Sequence, residues 1–154
     1  MRPRAALVLS LLVALAALAA GCGGGSQERN DYVKALNNAQ TGLAERFQAL
    51  QTRITPTSTP AQDAKTLRSY EGAVGETVRG LRTVQPPSGF DELHRRFVGE
   101  VADYGIALRA ARSRLRGDDP QARLAAQGRL RTAIARAGER LNATIRAINT
   151  KIKG

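Results

Sequence analysis

The residues that could do acid–base or metal chemistry are few: one histidine, one cysteine and 13 acids in 154 residues. His94 stands in the stretch FDELHRRF (90–97), four residues after Phe90 and three before Phe97, with Asp91 three residues before it. Residues three and four apart share a helix face, so Asp91 and His94 form a carboxylate–imidazole pair at the edge of an apolar stripe. A di-iron site in a helical bundle takes Glu-x-x-His from two helices and two further glutamates; one histidine cannot supply that. A single cysteine excludes an intrachain disulfide and a cysteine-based zinc or iron–sulfur centre. A serine triad would have to use His94, and no Gly-x-Ser-x-Gly surrounds any serine. The stretch GAVGETVRG (72–80) is glycine-rich but continues a helical pattern instead of following a strand, so it does not read as a phosphate loop. The expectation is therefore no catalytic residue, no metal ligand and no cofactor. His94 is expected to be a boundary histidine bonded to a carboxylate or to water.

Positive charge is the other chemical resource. The chain has 24 basic residues and a formal net charge of +11. Only four are lysine (Lys34, Lys65, Lys151 and Lys153), which with the abundance of Ala and Gly reads first as GC-rich codon usage. Two regions concentrate the arginines. LRAARSRLR (108–116) carries Arg109, Arg112, Arg114 and Arg116; beyond Pro120 eight bases face one acid, and Arg129, Arg136, Arg140 and Lys151 fall within one helical arc. Guanidinium groups suit phosphate and carboxylate, so these seven arginines are the candidate anion-binding residues, for anionic lipid headgroups or cell-wall polymers. No nucleic-acid motif or aromatic stacking platform accompanies them. The triplet RGD (116–118) reads as a helix stop, the sequon NAT (142–144) lies inside a helical pattern, and TPTSTP (55–60) reads as a connector.

The lone cysteine has a setting of its own. Arg2 and Arg4 precede sixteen residues, 5–20, that are apolar except for Ser10, and small residues follow. At about 1.5 Å per residue that run spans roughly 24 Å, short of a hydrocarbon core of about 30 Å, so it reads as a secretory signal and not as a membrane span. LAAGC (18–22) resembles the lipobox of bacterial lipoproteins, with Ala19 where leucine is usual and Leu18 one place earlier. The resemblance covers the signal segment. It implies cleavage before Cys22, diacylglycerol or palmitate-type acylation of Cys22, and a membrane-anchored extracytoplasmic protein. Residues 1–21 are then the signal peptide, 22–27 a lipidated flexible tether, and 28–154 the helical bundle domain. Removal of Arg2 and Arg4 leaves 22 bases against 13 acids, a net charge of +9.

The elements that must position these groups follow from period. Apolar residues recur every three, four or seven positions in four segments: 28–54 (Val33, Leu36, Leu43, Phe47, Leu50, Ile54), 61–84 (Leu67, Tyr70, Val74, Val78, Leu81), 90–115 (Phe90, Phe97, Val101, Tyr104, Leu108, Ala111, Leu115) and 120–152 (Leu130, Ile134, Ala137, Leu141, Ile145, Ile148, Ile152). This predicts four amphipathic helices. Thr59–Pro60–Gln62 reads as a capped start, Ser88 or Gly89 as the next cap, Gly117 as a stop and Asp119–Pro120 as the last start. Short connections favour antiparallel neighbours, hence an all-α, up-down-up-down four-helix bundle, with an extended three-helix arrangement as the alternative. Gly72, Gly75 and Gly80 make the second segment the weakest by composition.

The mature part also resembles, in pattern and composition, the small uncharacterised helical lipoproteins of high-GC bacteria. The expected function is that of a non-catalytic structural or interaction module of the cell envelope, held to the membrane by acyl chains on Cys22, with its protein partner unspecified and no nucleic acid. The alternative is a ligand-binding lipoprotein holding a small or anionic molecule between the second and third segments, lined by Tyr70, Tyr104, His94 and arginines.

Overall fold

The computed structural model describes residues 24–117 and 119–153. Four helices cover them: α1 Gly24–Arg53, α2 Pro60–Thr83, α3 Asp91–Arg114 and α4 Pro120–Lys153. Among the described residues there is no strand. The helices pack together into one all-helical bundle, and their ends fall within a few residues of the periodic segments. The signal segment 1–21 and the lipidation site Cys22 lie outside the described residues.

Part of the segment expected to be a flexible tether is helical. Gly24 to Gln27, read as flexible, form the first turn of α1. Extending an existing helix needs no new nucleus, and each glycine added costs only about 1 kcal/mol relative to alanine. A continuous helix therefore overrides a weak local preference.

Two of the expected starts are present in detail. Thr59 caps α2 in a reciprocal box: its Oγ1 accepts from the Gln62 amide at 3.2 Å, and Gln62 Oε1 accepts from the Thr59 amide at 2.8 Å. Asp119 Oδ1 accepts from the amides of Gln121 at 2.9 Å and Ala122 at 3.3 Å, closing the start of α4. Two others differ. The N-cap of α3 is Phe90, not Ser88 or Gly89, and it makes no side-chain cap bond. Burial of its ring holds the chain there, while Gly89 makes the preceding turn at φ +84°, a conformation that suits glycine. Lys151 Nζ donates to the Gly89 carbonyl at 2.5 Å and lies 5.3 Å from the centre of the Phe90 ring. At the far end of α3 the stop is not Gly117 in a left-handed turn. Buried Leu115 is the C-cap, its amide bonded to the Ala111 carbonyl at 2.9 Å, so packing of a leucine ends the helix.

The core is the periodic set with a few changes: Val98 and Ala126 join it, and Ile152 is only half-buried. Tyr32 is buried while Val33 sits half-buried at the edge. Phe47 is half-buried but stacks across the bundle on Tyr104, ring centres 4.0 Å apart and tilted by 52°. Helix α3 packs closely against both α2 and α4, and α1 packs more sparsely against α2 and α4. The sparsest packing thus falls on α1, whereas composition points to α2. A Cβ added at Gly72 or Gly80 would meet nothing within 4 Å, so those glycines do not serve helix contact. The close approach is made by Gly105 of α3, where a Cβ would lie 3.4 Å from Val74 Cγ1.

Candidate functional site

The seven candidate arginines do not form one patch. Successive helical residues turn by about 100°, so the run LRAARSRLR divides between two edges of α3. Arg112 turns to α2, where its Nε donates to Glu71 Oε1 at 2.7 Å with both side chains largely buried; it is neutralised and unavailable. Arg109 is exposed, and Arg116 is exposed in the turn after α3. Arg114, fourteen residues after Glu100, lies on the side of α3 that faces α4, because Thr144 Oγ1 of α4 donates to Glu100 Oε1 at 3.0 Å. Arg140 is one turn before Thr144, and Arg136 and Arg129 continue that edge of α4 at spacings of four and seven. All three are exposed. The structure therefore brings Arg114, Arg129, Arg136 and Arg140 to one seam and separates Arg109, Arg112 and Arg116 from it.

The connector 55–60 is the centre of a buried polar cluster that periodicity did not reveal. Asp63, in the first turn of α2, has no exposed surface. Its Oδ2 accepts from Arg123 Nη2 of α4 at 3.0 Å, and the same Nη2 lies 2.6 Å from the Ser58 carbonyl. Ser58 Oγ stands 2.5 Å from Asp63 Oδ1, 2.7 Å from the Thr55 carbonyl and 3.1 Å from the Thr55 amide. A hydroxyl has one proton, and it goes to the carboxylate, the stronger acceptor. Gln127 Nε2 donates to the Thr55 carbonyl at 2.9 Å. Arg123 Nε and Gln127 Oε1 have no partner although buried. This set joins the α1–α2 connector to the first turns of α4. Its sequence signals were a serine–aspartate pair at a helix start and a lone arginine on the apolar stripe of α4, both legible only once the partner helix is known.

His94 is buried, and the polar group beside it is a tyrosine hydroxyl. Nδ1 lies 3.4 Å from the Tyr32 hydroxyl of α1, with the ring centres 5.7 Å apart. Burial lowers the imidazole pKa, against smaller upward pulls from the Leu81 backbone and Asp91. Burial likewise pushes the Tyr32 hydroxyl up to about 12, with the Asp91 charge adding to it. Tyr70 and Tyr104 are buried too, and burial, aided by Tyr70, raises the Tyr104 hydroxyl well above its ordinary range. The Tyr104 oxygen is buried without a hydrogen-bond partner. The residues expected to line a ligand site between α2 and α3 are thus core residues. A cleft of about 20 Å³, room for one water, lies instead between α1 and α4, lined by Leu50, Ile54, Gln127, Leu130, Arg131 and Ile134 among others.

Among the described residues no three His, Cys, Asp or Glu side chains come together as a metal ion would require, and no helix is long and apolar enough to cross a membrane. Asn142 of the sequon accepts from Gln40 Nε2 at 2.8 Å between α1 and α4. Arg116 and Gly117 of the RGD triplet are exposed in the α3–α4 turn, and Asp118 lies outside the described residues. No protein-family model, curated protein or solved structure matches this chain.

Proposed function

We propose that the chain is a lipid-anchored extracytoplasmic lipoprotein whose helical bundle acts through its outer surfaces, as a non-catalytic interaction module, and not through a cavity. The observation that carries the surface reading is the distribution of groups. The core is filled by aliphatic and aromatic side chains, Tyr70, Tyr104 and His94 included, while the exposed edges carry the arginines. The anchor rests on the lipobox-like LAAGC ending at Cys22; two or more acyl chains are what stable membrane attachment takes.

The helix order we propose is up-down-up-down. Side-chain pairs support it. Gln40–Asn142 and Thr55–Gln127 run in opposite senses along α1 and α4, Val74–Gly105 and Glu71–Arg112 do so for α2 and α3, and Glu100–Thr144 and Gly89–Lys151 for α3 and α4.

Two experiments test the reading. Cys22→Ala should abolish incorporation of labelled palmitate and retention in the membrane fraction; continued labelling of the variant refutes the anchor. Thermal melting of the protein with a panel of small neutral and singly charged molecules should leave Tm unchanged. A rise of several degrees with any one of them favours a ligand held between helices.

A further inference from the structure

The start of α1 and the arginine seam stand at different heights on the bundle. Tyr32 near the start of α1 meets Phe90 and His94 at the start of α3, and Thr55, just beyond α1, meets Gln127 near the start of α4. Gly24, two residues after Cys22, therefore shares an end with the α2–α3 turn and with Lys151. Arg114 and Arg129 share the opposite end with the α1–α2 connector. At about 1.5 Å per residue, the Gln40–Asn142 register places Arg140 roughly 27 Å from the Gly24 end and Arg129 roughly 44 Å from it. Screening in physiological salt acts over about 8 Å.

Three acids of that distal half are already engaged. Asp63 holds Arg123, Glu71 holds Arg112, and Asp119 caps α4. Glu45 is exposed on α1, Asp103 on the α3 side of the seam stands near the height of Arg140, and Glu139, exposed on α4, lies three residues after Arg136 and one before Arg140. Among the described residues none of these three acids is in an ion pair, so the four arginines of the seam outnumber the two acids beside them. Arg114, Arg129, Arg136 and Arg140 take part in no ion pair among the described residues. The Glu100–Thr144 register sets Arg114 and Arg129, two like charges, at one height across the seam. Along α4 the remaining charges follow at about 10 Å and 6 Å. The cleft described above lies between α1 and α4, away from these arginines, and the buried Thr144 hydroxyl beside them is taken by Glu100, so an open row and not an enclosed site is what the seam offers. An open row of separated guanidinium groups gains from a ligand that repeats its own charge, because each further contact is intramolecular.

We propose that the α3–α4 seam binds an extended polyanion whose phosphate groups repeat along its length, held away from the anchoring bilayer by the length of the bundle. The inference rests on the anchored reading above for its orientation, and on the seam alone for its chemistry.

The test uses the acylated full-length protein incorporated into vesicles of neutral phosphatidylcholine, with soluble inorganic polyphosphate of about fifty units as probe. Wild type should bind the polymer, and affinity should fall steeply as salt rises. Changing Arg114, Arg129, Arg136 and Arg140 together to Gln should weaken binding at least about tenfold at low salt. The same number of changes at the other end (Arg29, Arg82, Lys151 and Lys153 to Gln) should weaken it less than about threefold. Circular dichroism shows both variants to be helical before comparison. Equal losses in the two variants, or unchanged binding in the seam variant, overturn the proposal. Orthophosphate binding the seam as tightly as the polymer overturns it too. In a second arm the protein is incorporated into vesicles containing 30% phosphatidylglycerol. Unchanged polymer binding supports a seam clear of the membrane; loss of binding there means that the seam lies on the lipid headgroups, and the polymer assignment fails. Failure of the anchor is read separately, from palmitate labelling of Cys22→Ala, and leaves the comparison of seam and control variants intact.

Discussion

Removing one partner of the Asp63–Arg123 pair should cost far more than removing both. Asp63 is fully buried, and the Arg123 side chain is 16% exposed. Asp63→Leu leaves a guanidinium facing the Ser58 carbonyl with its countercharge gone. Arg123→Met leaves a carboxylate whose remaining partner is Ser58 Oγ. Breaking a buried pair in this way typically costs about 3–5 kcal/mol, whereas replacing both partners by apolar residues of similar volume is often neutral. For a domain of this size about 1 kcal/mol shifts Tm by roughly 3–5 °C, so each single change should lower Tm by about 10–20 °C. The double variant should lie within about 5 °C of wild type. The assay is a double-mutant cycle by urea and thermal denaturation, followed by circular dichroism at 222 nm. A coupling energy below about 1 kcal/mol, or single variants within about 0.5 kcal/mol of wild type, would refute the assignment of this pair as the fastening between the α1–α2 connector and α4. Asp63→Asn separates charge from hydrogen bonding: it keeps an acceptor for Ser58 yet leaves Arg123 unpaired, and it should resemble Asp63→Leu.

Other outcomes follow from the same geometry. Because burial holds the His94 pKa below its ordinary 6.5, the unfolded chain binds more protons than the folded one below about pH 6.5, so stability falls as pH drops through that region; His94→Gln should flatten the slope of Tm between pH 7.5 and 5. Tyr104→Phe removes a buried hydroxyl that has no partner and should be neutral or stabilising by up to about 1 kcal/mol in urea denaturation, whereas a loss above 1 kcal/mol would mean that the hydroxyl is bonded. Gly72→Ala places a methyl where nothing lies within 4 Å and should stabilise α2 by about 1 kcal/mol. Amide exchange should release α1 before α3, since α3 packs closely on two neighbours and α1 packs sparsely; protection of α1 equal to that of α3 contradicts this.

Helix number, most helix ends and nearly all of the core were legible in the residues alone. Leu67, Tyr70, Val74, Val78 and Leu81 repeat at helical spacing and are all buried, because burial of one face is a property of a single helix. Thr59 with Gln62 and Asp119 with Pro120 act within a few residues, so their capping bonds were readable too. The expectation of export and acylation at Cys22 rests on a contiguous motif that lies outside the described residues. Local reasoning lost its hold where the decisive partner is remote. Arg112 meets Glu71 forty-one positions away, Arg123 meets Asp63 sixty away, and Tyr32 meets His94 sixty-two away. Whether a charge is solvated, paired or buried depends on which faces of different helices meet and in what register. The stripe of one helix is set by its own 3.6-residue turn, but the groups opposite it belong to other segments, and only their packing decided that LRAARSRLR is divided, that Asp63 is an interior residue and that four arginines share one seam.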